Sequence, residues 1–148
     1  LSKVLSRSLS LLELSEKNIV FNLINENPSA YINGDEEQIN RVFMNLVKNS
    51  VESINEKKMK NDVFKGKISV DIKQDSDYIY IDIQDNGVGF SDEQKKKMLA
   101  PYFTTKVKGT GLGLAIVTKI INDHNSTILF NSIKDGAKVE IIIPRYYD

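Results

Sequence analysis

Two alternating runs, Ile68-Val70-Ile72 and Ile79-Ile81-Ile83, flank the polar stretch Gln74-Asp75-Ser76-Asp77. A period of two puts all six β-branched side chains on one face of a hairpin. Such a face cannot stay in water, so a second layer has to cover it. Helical periodicity elsewhere supplies that layer. Leu1, Leu5, Leu9 and Leu12 recur at helical spacing, with Val4 and Leu11 beside them, and predict an opening helix of about three turns. Asn33-Gly34-Asp35 makes a turn and an N-cap, and the longest helix follows near Glu36 to Glu56. Its core stripe is Ile39, Phe43, Leu46, Val47 and Ile54.

The remaining elements are shorter. Ile19, Phe21 and Leu23 alternate as in a half-buried strand, Pro28 breaks the segment, and Ala30 to Ile32 suits a short strand. Asn55 to Gly66 is lysine-rich and reads as loop. After the hairpin come a glycine-bearing segment from Asp85 to Phe90, a short helix near Asp92 to Leu99, and a loop to about Gly111. A helix carrying Leu112, Ala115, Ile116, Ile120 and Ile121 leads to Asn122. Strands Thr127 to Asn131 and Lys138 to Ile143 close the chain, turning at Asp135-Gly136. The expected fold is α/β: a two-layer sandwich, with a mixed, mostly antiparallel sheet and helices packed on one face.

At 148 residues the chain suits a single domain with its own core, and 41% hydrophobic residues argue against wholesale disorder. Twenty Lys and Arg balance twenty Asp and Glu, so no net field draws nucleic acid or an anionic membrane. With no cysteine, disulfides, thiolate metal sites and cysteine nucleophiles are excluded. No apolar run approaches the roughly 18 residues of a membrane helix. The chain begins at Leu1 rather than methionine, and reads as a fragment of something longer.

Three places invite chemistry. Asn45 and Asn49 are four apart on the long helix, so both project from one stripe, with Arg41 and Glu52 extending it. Asparagine is a poor interior helix residue. The pair is either chance on a solvated face or a Mg²⁺ site, where neutral amide oxygens hold the ion only with phosphate and water completing the octahedron. Next, Asp85-Asn86-Gly87-Val88-Gly89-Phe90 directly follows a strand. It is either a plain turn or a base pocket, whose carboxylate accepts from an exocyclic amine and whose glycines let backbone approach a flat ring. Third, Gly109-Thr110-Gly111-Leu112-Gly113-Leu114 opens a helix. Alternate glycines expose N–H groups at a positive helix end, which suits polyphosphate, although a hinge without ligand has the same composition. Neither a dinucleotide fingerprint nor a P-loop fits these glycines. Between them, Pro101-Tyr102-Phe103-Thr104-Thr105-Lys106 and Lys108 combine aromatics with a basic loop, as either a mobile lid or ordinary core.

Taken in order, these segments resemble the N box, first glycine box, F box and second glycine box of the catalytic domain of sensor histidine kinases, within the GHKL group of ATPases and kinases. The resemblance runs from about Asp35 to Pro144. Thr104-Thr105-Lys106 leading into the glycine box is most similar to the nitrogen-regulation type. The resemblance implies ATP and Mg²⁺ as cofactors. It makes Asn49 the Mg²⁺ ligand, with Asn45 supporting metal and phosphate, and Asp85 the adenine contact, with Gly87 and Gly89 lining the base. Gly109, Thr110, Gly111, Leu112, Gly113 and Leu114 would cradle the phosphates. Phe90 to Thr110 would form a lid latched by Phe103, with Thr104 and Thr105 beside the nucleotide; Lys106 and Lys108 are candidates for the γ-phosphate.

The implied reaction is phosphoryl transfer from Mg-ATP to a histidine in a separate dimerisation domain of the same parent, with a response regulator downstream. Residues 1–14 would then be a helix leading from that missing region. The fragment would be monomeric and cytoplasmic, an inner-membrane sensor being one form of the parent. Competing readings are ATP hydrolysis, a nucleotide-dependent interaction module and a serine kinase of the same group. Hydrolytic branches carry a glutamate base four residues before the metal asparagine; here that position is Asn45, and an amide cannot take the proton.

Three positions depart from the family pattern. Glu52 replaces a basic residue, Ala100 replaces the glutamate before the F-box proline, and His124 is followed by Asn125-Ser126 rather than two glycines. His124 also lacks the surroundings of an acceptor histidine, and the dipole of its own helix accounts for it better. Lys57-Lys58 and Lys95-Lys96-Lys97 read as solvated faces, and Tyr146-Tyr147 as tail.

Overall fold

The computed structural model describes residues 1–25, 31–89 and 113–146. The elements run α1 (Ser2–Ser15), β1 (Ile19–Asn25), α2 (Glu36–Lys60), β2 (Gly66–Gln74), β3 (Tyr78–Asp85), α3 (Gly113–Asp123), β4 (Thr127–Ile133) and β5 (Gly136–Pro144). The five strands form one sheet in the order β1-β2-β3-β5-β4. Only β1 and β2 pair in parallel; the other three pairings are antiparallel. This is the mixed α/β sandwich that the patterning implied.

Alternation places the core. Leu23, Val70, Ile83, Val139 and Phe130 are consecutive partners across all five strands, and Ile72, Ile81, Ile141 and Ile128 form the next row. Against these rows α2 lays Phe43, Leu46, Val47 and Ile54, all buried, and α1 adds Leu5, Leu9 and Leu12 to the same cluster. Burying a side chain of this size is worth about 1.5–3 kcal/mol, so the rows hold the sheet to the helices. Ser8 of α1 also hydrogen-bonds Asn40 of α2.

The α2 helix starts as its sequence predicts, with the Asp35 carboxylate accepting from the Gln38 N–H at 3.1 Å. It runs four residues beyond Glu56, through what reads as loop from Asn55. No proline or glycine intervenes before Gly66, and Lys57, Lys58 and Lys60 in the last turn favour the helix C-terminus. The strand expected over Ala30 to Ile32 is not formed by Tyr31 and Ile32; Ala30 lies outside the described residues. The Tyr31 carbonyl instead accepts a single bond from the Tyr146 N–H at 2.9 Å, so Tyr146 is tied down rather than loose tail. β4 and β5 are longer than expected and turn at Lys134-Asp135, where Asp135 has φ of 62°. No helix among the described residues is long and apolar enough to cross a membrane.

Candidate functional site

Asp85 ends β3 on the inward face. It follows Ile79, Ile81 and Ile83 in parity and pairs with Ile68 on one side and Ala137 on the other. It is only 6% exposed, a carboxylate in a row of apolar neighbours. Burial pushes its pKa up; the Gly87 N–H, the Ser50 hydroxyl, the Ala137 N–H and the charge of Lys57 oppose that rise. The Gly87 N–H donates to Asp85 Oδ1 at 2.9 Å. β5 approaches so closely that a Cβ on Gly136 would collide with the Asp85 carbonyl.

The segment after Asp85 is pinned to α2. Val88 N–H donates to the Ser53 hydroxyl at 3.0 Å, and Lys57 Nζ donates to the Asn86 carbonyl at 3.1 Å while lying 4.7 Å from the Phe64 ring centroid. Gly87 passes so near that a Cβ would sit 2.7 Å from the Ser53 carbonyl carbon. Gly89 has φ of 69°, a conformation that favours glycine. Asn86 turns the other way: its side chain accepts from the Lys67 N–H at 2.7 Å and donates to the Lys65 carbonyl at 3.0 Å. It clips the start of β2, so within this box it is a structural residue.

Ser50, Ser53 and Lys57 therefore form a stripe of α2 facing the turn after β3. Asn49 is adjacent to Ser50 and one helical turn before Ser53, which puts it beside that stripe, about 5–6 Å between Cβ atoms at this spacing. Asn45 and Asn49 are both half-buried. The Asn45 Nδ2 donates to the Arg41 carbonyl at 2.8 Å, which directs its other amide atom, Oδ1, away from the helix backbone. Sequence reasoning missed Ser50, Ser53 and Lys57. Part of their signal was available, because Ser53 and Lys57 continue the Asn45 and Asn49 stripe at spacings of four. Only the structure shows Lys57 half-buried and engaged rather than on a solvated face.

Gly113 opens α3, with Leu114 after it, and α3 packs on α2. Phe90, Phe103, Thr104, Thr105, Lys106, Lys108, Gly109, Thr110, Gly111 and Leu112 lie outside the described residues, as does the helix expected near Asp92 to Leu99. His124 does more than end its helix. Its Nε2 meets the Asp35 backbone nitrogen at 3.2 Å, joining α3 to the cap of α2.

Residues 34–147 match the family described as histidine kinase-, DNA gyrase B- and HSP90-like ATPases. The chain is 39% identical over 118 residues to sporulation kinase B of Bacillus subtilis (strain 168), covering 79% of this chain and 26% of that protein. It is 34% identical over 138 residues to the nitrogen regulation protein NtrY of Azorhizobium caulinodans, covering 92% of this chain and 17% of that protein. It thus spans about a quarter or less of these curated relatives. The nucleotide-free catalytic domain of histidine kinase ThkA superposes with a TM-score of 0.85 at 29% identity, covering 98% of this chain and 92% of that one. ThkA has also been solved in complex with the response regulator protein TrrA; that kinase chain matches at 26% identity and TM-score 0.82, covering 99% of this chain and 40% of that one. With the fold, the matched span and these relatives in agreement, the chain belongs to the histidine kinase-, DNA gyrase B- and HSP90-like ATPase family, as an ATP-binding domain of the histidine-kinase kind.

Proposed function

We propose that this domain binds Mg-ATP between α2 and the turn after β3, and passes the γ-phosphoryl group to a histidine on a separate dimerisation domain of a longer sensor protein. The observation that carries the reading is Asp85, a buried carboxylate held at the end of β3 by Ser50, Gly87 and Ala137. A protein seldom buries an acid among isoleucines without a partner for it. An exocyclic amine fits, because Asp85 Oδ1 already takes the Gly87 N–H and the carboxylate retains further acceptor capacity. In this reading Gly87, packed against Ser53, and Gly89, at positive φ, carry the backbone past the base.

The donor set also fits a metal bound together with phosphates. Two neutral amides are hard oxygen ligands, too few to cage Mg²⁺ alone and well suited to share it with a nucleotide. In this reading Asn49 holds the ion and Asn45 orients metal and phosphate. Mg²⁺ draws charge from the phosphates when bound. In the same reading Gly109, Gly111 and Gly113 offer backbone N–H groups to the same phosphates, Gly113 from the head of α3, with Thr110, Leu112 and Leu114 as their neighbours in sequence. Phe103, Thr104, Thr105, Lys106 and Lys108 belong to the covering segment that excludes water, the lysines reaching the γ-phosphate. The domain contributes position and charge rather than a strong base, because the accepting histidine is its own nucleophile. Asn45, an amide where hydrolases need an acid, supports transfer over hydrolysis.

The partners proposed are the histidine-bearing domain of the same parent, entered through α1, and a response regulator downstream. ThkA, solved with such a regulator, supports the second. We assign the domain to the cytoplasmic side of its sensor. The test mixes this chain with Mg-ATP and candidate histidine-bearing domains and measures acid-labile phosphate. Transfer is expected for the wild type and lost in Asn49→Ala; full transfer by that variant would overturn the metal assignment, and an acid-stable product would indicate a serine acceptor.

A further inference from the structure

His124 Nε2 lies 3.2 Å from the Asp35 backbone nitrogen, and an N–H can only donate. Nε2 is therefore the acceptor and the ring proton sits on Nδ1, 2.8 Å from the Ile120 carbonyl. Asp35 satisfies both elements without competition, because its carboxylate is committed to the Gln38 N–H. Gly34 seats the ring: a Cβ there would fall 2.6 Å from Cδ2 and 2.9 Å from Nε2. The chain beyond is held too, with the Ser126 hydroxyl donating to the His124 carbonyl at 3.0 Å.

This contact joins the C-terminal end of α3 to the N-terminal end of α2. Since α3 packs on α2, the two helices lie side by side from the tie, with their chains antiparallel. Both rise about 1.5 Å per residue. Gly113 is eleven residues back from His124, and eleven residues on from Asp35 is Leu46, between Asn45 and Asn49. The tie at one end thus sets which turn of α2 faces the head of α3.

We propose that His124 is a positioning residue that sets the lengthwise register of α3 on α2, and through it the spacing between Asn45, Asn49 and Gly113. The inference rests on the nucleotide reading above and deepens it. A slip of one residue moves the facing groups by about 1.5 Å. Mg²⁺ demands near-ideal geometry at about 2.0–2.1 Å, and so does not tolerate such a slip. The described groups around Asp85 and the turn after β3 come from β3, β5 and the Ser50–Lys57 stripe of α2. Loss of the tie should therefore weaken binding of the metal-phosphate portion and spare the base.

The experiment titrates the purified chain with Mg-ATP by calorimetry and with adenosine by NMR. His124→Ala is expected to weaken Mg-ATP at least fivefold and adenosine less than twofold. His124→Gln, whose Oε1 can accept from the Asp35 N–H, should recover most of the loss. Gly34→Ala, which displaces the ring, should also weaken Mg-ATP but add nothing in the His124→Ala background. Wild-type affinity in His124→Ala, equal losses for both ligands, or additive losses in the double variant would each overturn the proposal. If His124→Ala does not fold, the Gln and Gly34 variants decide the question by the same criteria. A wild-type chain that binds no Mg-ATP would instead defeat the nucleotide reading, and the positioning role with it.

Discussion

Two neighbouring rows of the sheet meet the same helix with opposite chemistry. In one, Leu23, Val70, Ile83, Val139 and Phe130 run across five strands. In the next, Phe21, Ile68, Asp85 and Ala137 occupy the equivalent inward positions. Ile83 and Asp85 are both almost wholly buried. The first gains from leaving water, whereas the second loses hydration that its surroundings must replace. Ser50, Gly87 and Ala137 supply donors to the acid, and its pKa still rises. The first row is apolar throughout, whereas the second carries, at Asp85, the proposed contact to the nucleotide base.

The comparison breaks most visibly in the core. Ile81→Ala, at a residue 2% exposed, should lower unfolding free energy by about 2–5 kcal/mol in denaturant titrations while leaving the nucleotide affinity of the folded molecule unchanged. Asp85→Ala should do the reverse. Losing a hydrogen bond to a buried charge is worth about 1.5–3 kcal/mol, so calorimetry should show ATP binding weakened roughly 10- to 100-fold, with thermal stability kept or raised. Equal ATP affinity in that variant would remove the pocket; a core-sized loss of stability would erase the distinction between rows.

Ser50→Ala sharpens the contrast more gently. One donor to Asp85 disappears, costing about 1 kcal/mol of affinity. The carboxyl should hold its proton still more strongly, so the acid limb of ATP binding should move to higher pH.

Stability itself should carry the same signature. Because Asp85 has a raised pKa when folded, the native state binds more protons than the unfolded chain between the two pKa values. Wild-type stability therefore falls, relative to Asp85→Asn, as pH rises from the ordinary aspartate value of about 3.9 through the native one. Parallel stability–pH curves would contradict the burial argument. The smallest effect is expected at Glu140 on the open face, opposite Asp82 in the register. Burial and a hydrogen bond with Asp82 raise its pKa, while Lys138 opposes the rise. Glu140→Gln should remove a shallow slope of the same sign, measurable only by differential melting across pH.

The sheet and the start of α2 were legible because their determinants are local. Alternation along Ile79, Ile81 and Ile83 announces which face is buried, and continuing the same parity reaches Asp85. Asp35 caps its own helix from three residues away. Where determinants are distant, the reading faltered: α2 continues through lysines that resemble a loop, and Tyr31 spends its carbonyl on Tyr146 instead of a strand. Asn86 looked like part of a base pocket, yet its side chain fastens β2, nineteen and twenty-one residues back.

Sequence alone thus determined the hydrophobic period, the helix cap and the order of the polar and glycine segments, since each is encoded within a few adjacent residues. Tertiary structure decided that Ser53 holds Val88 across 35 residues and that His124 meets Asp35 across 89. Those contacts depend on how separately formed helices and strands pack, and no local periodicity carries that relation.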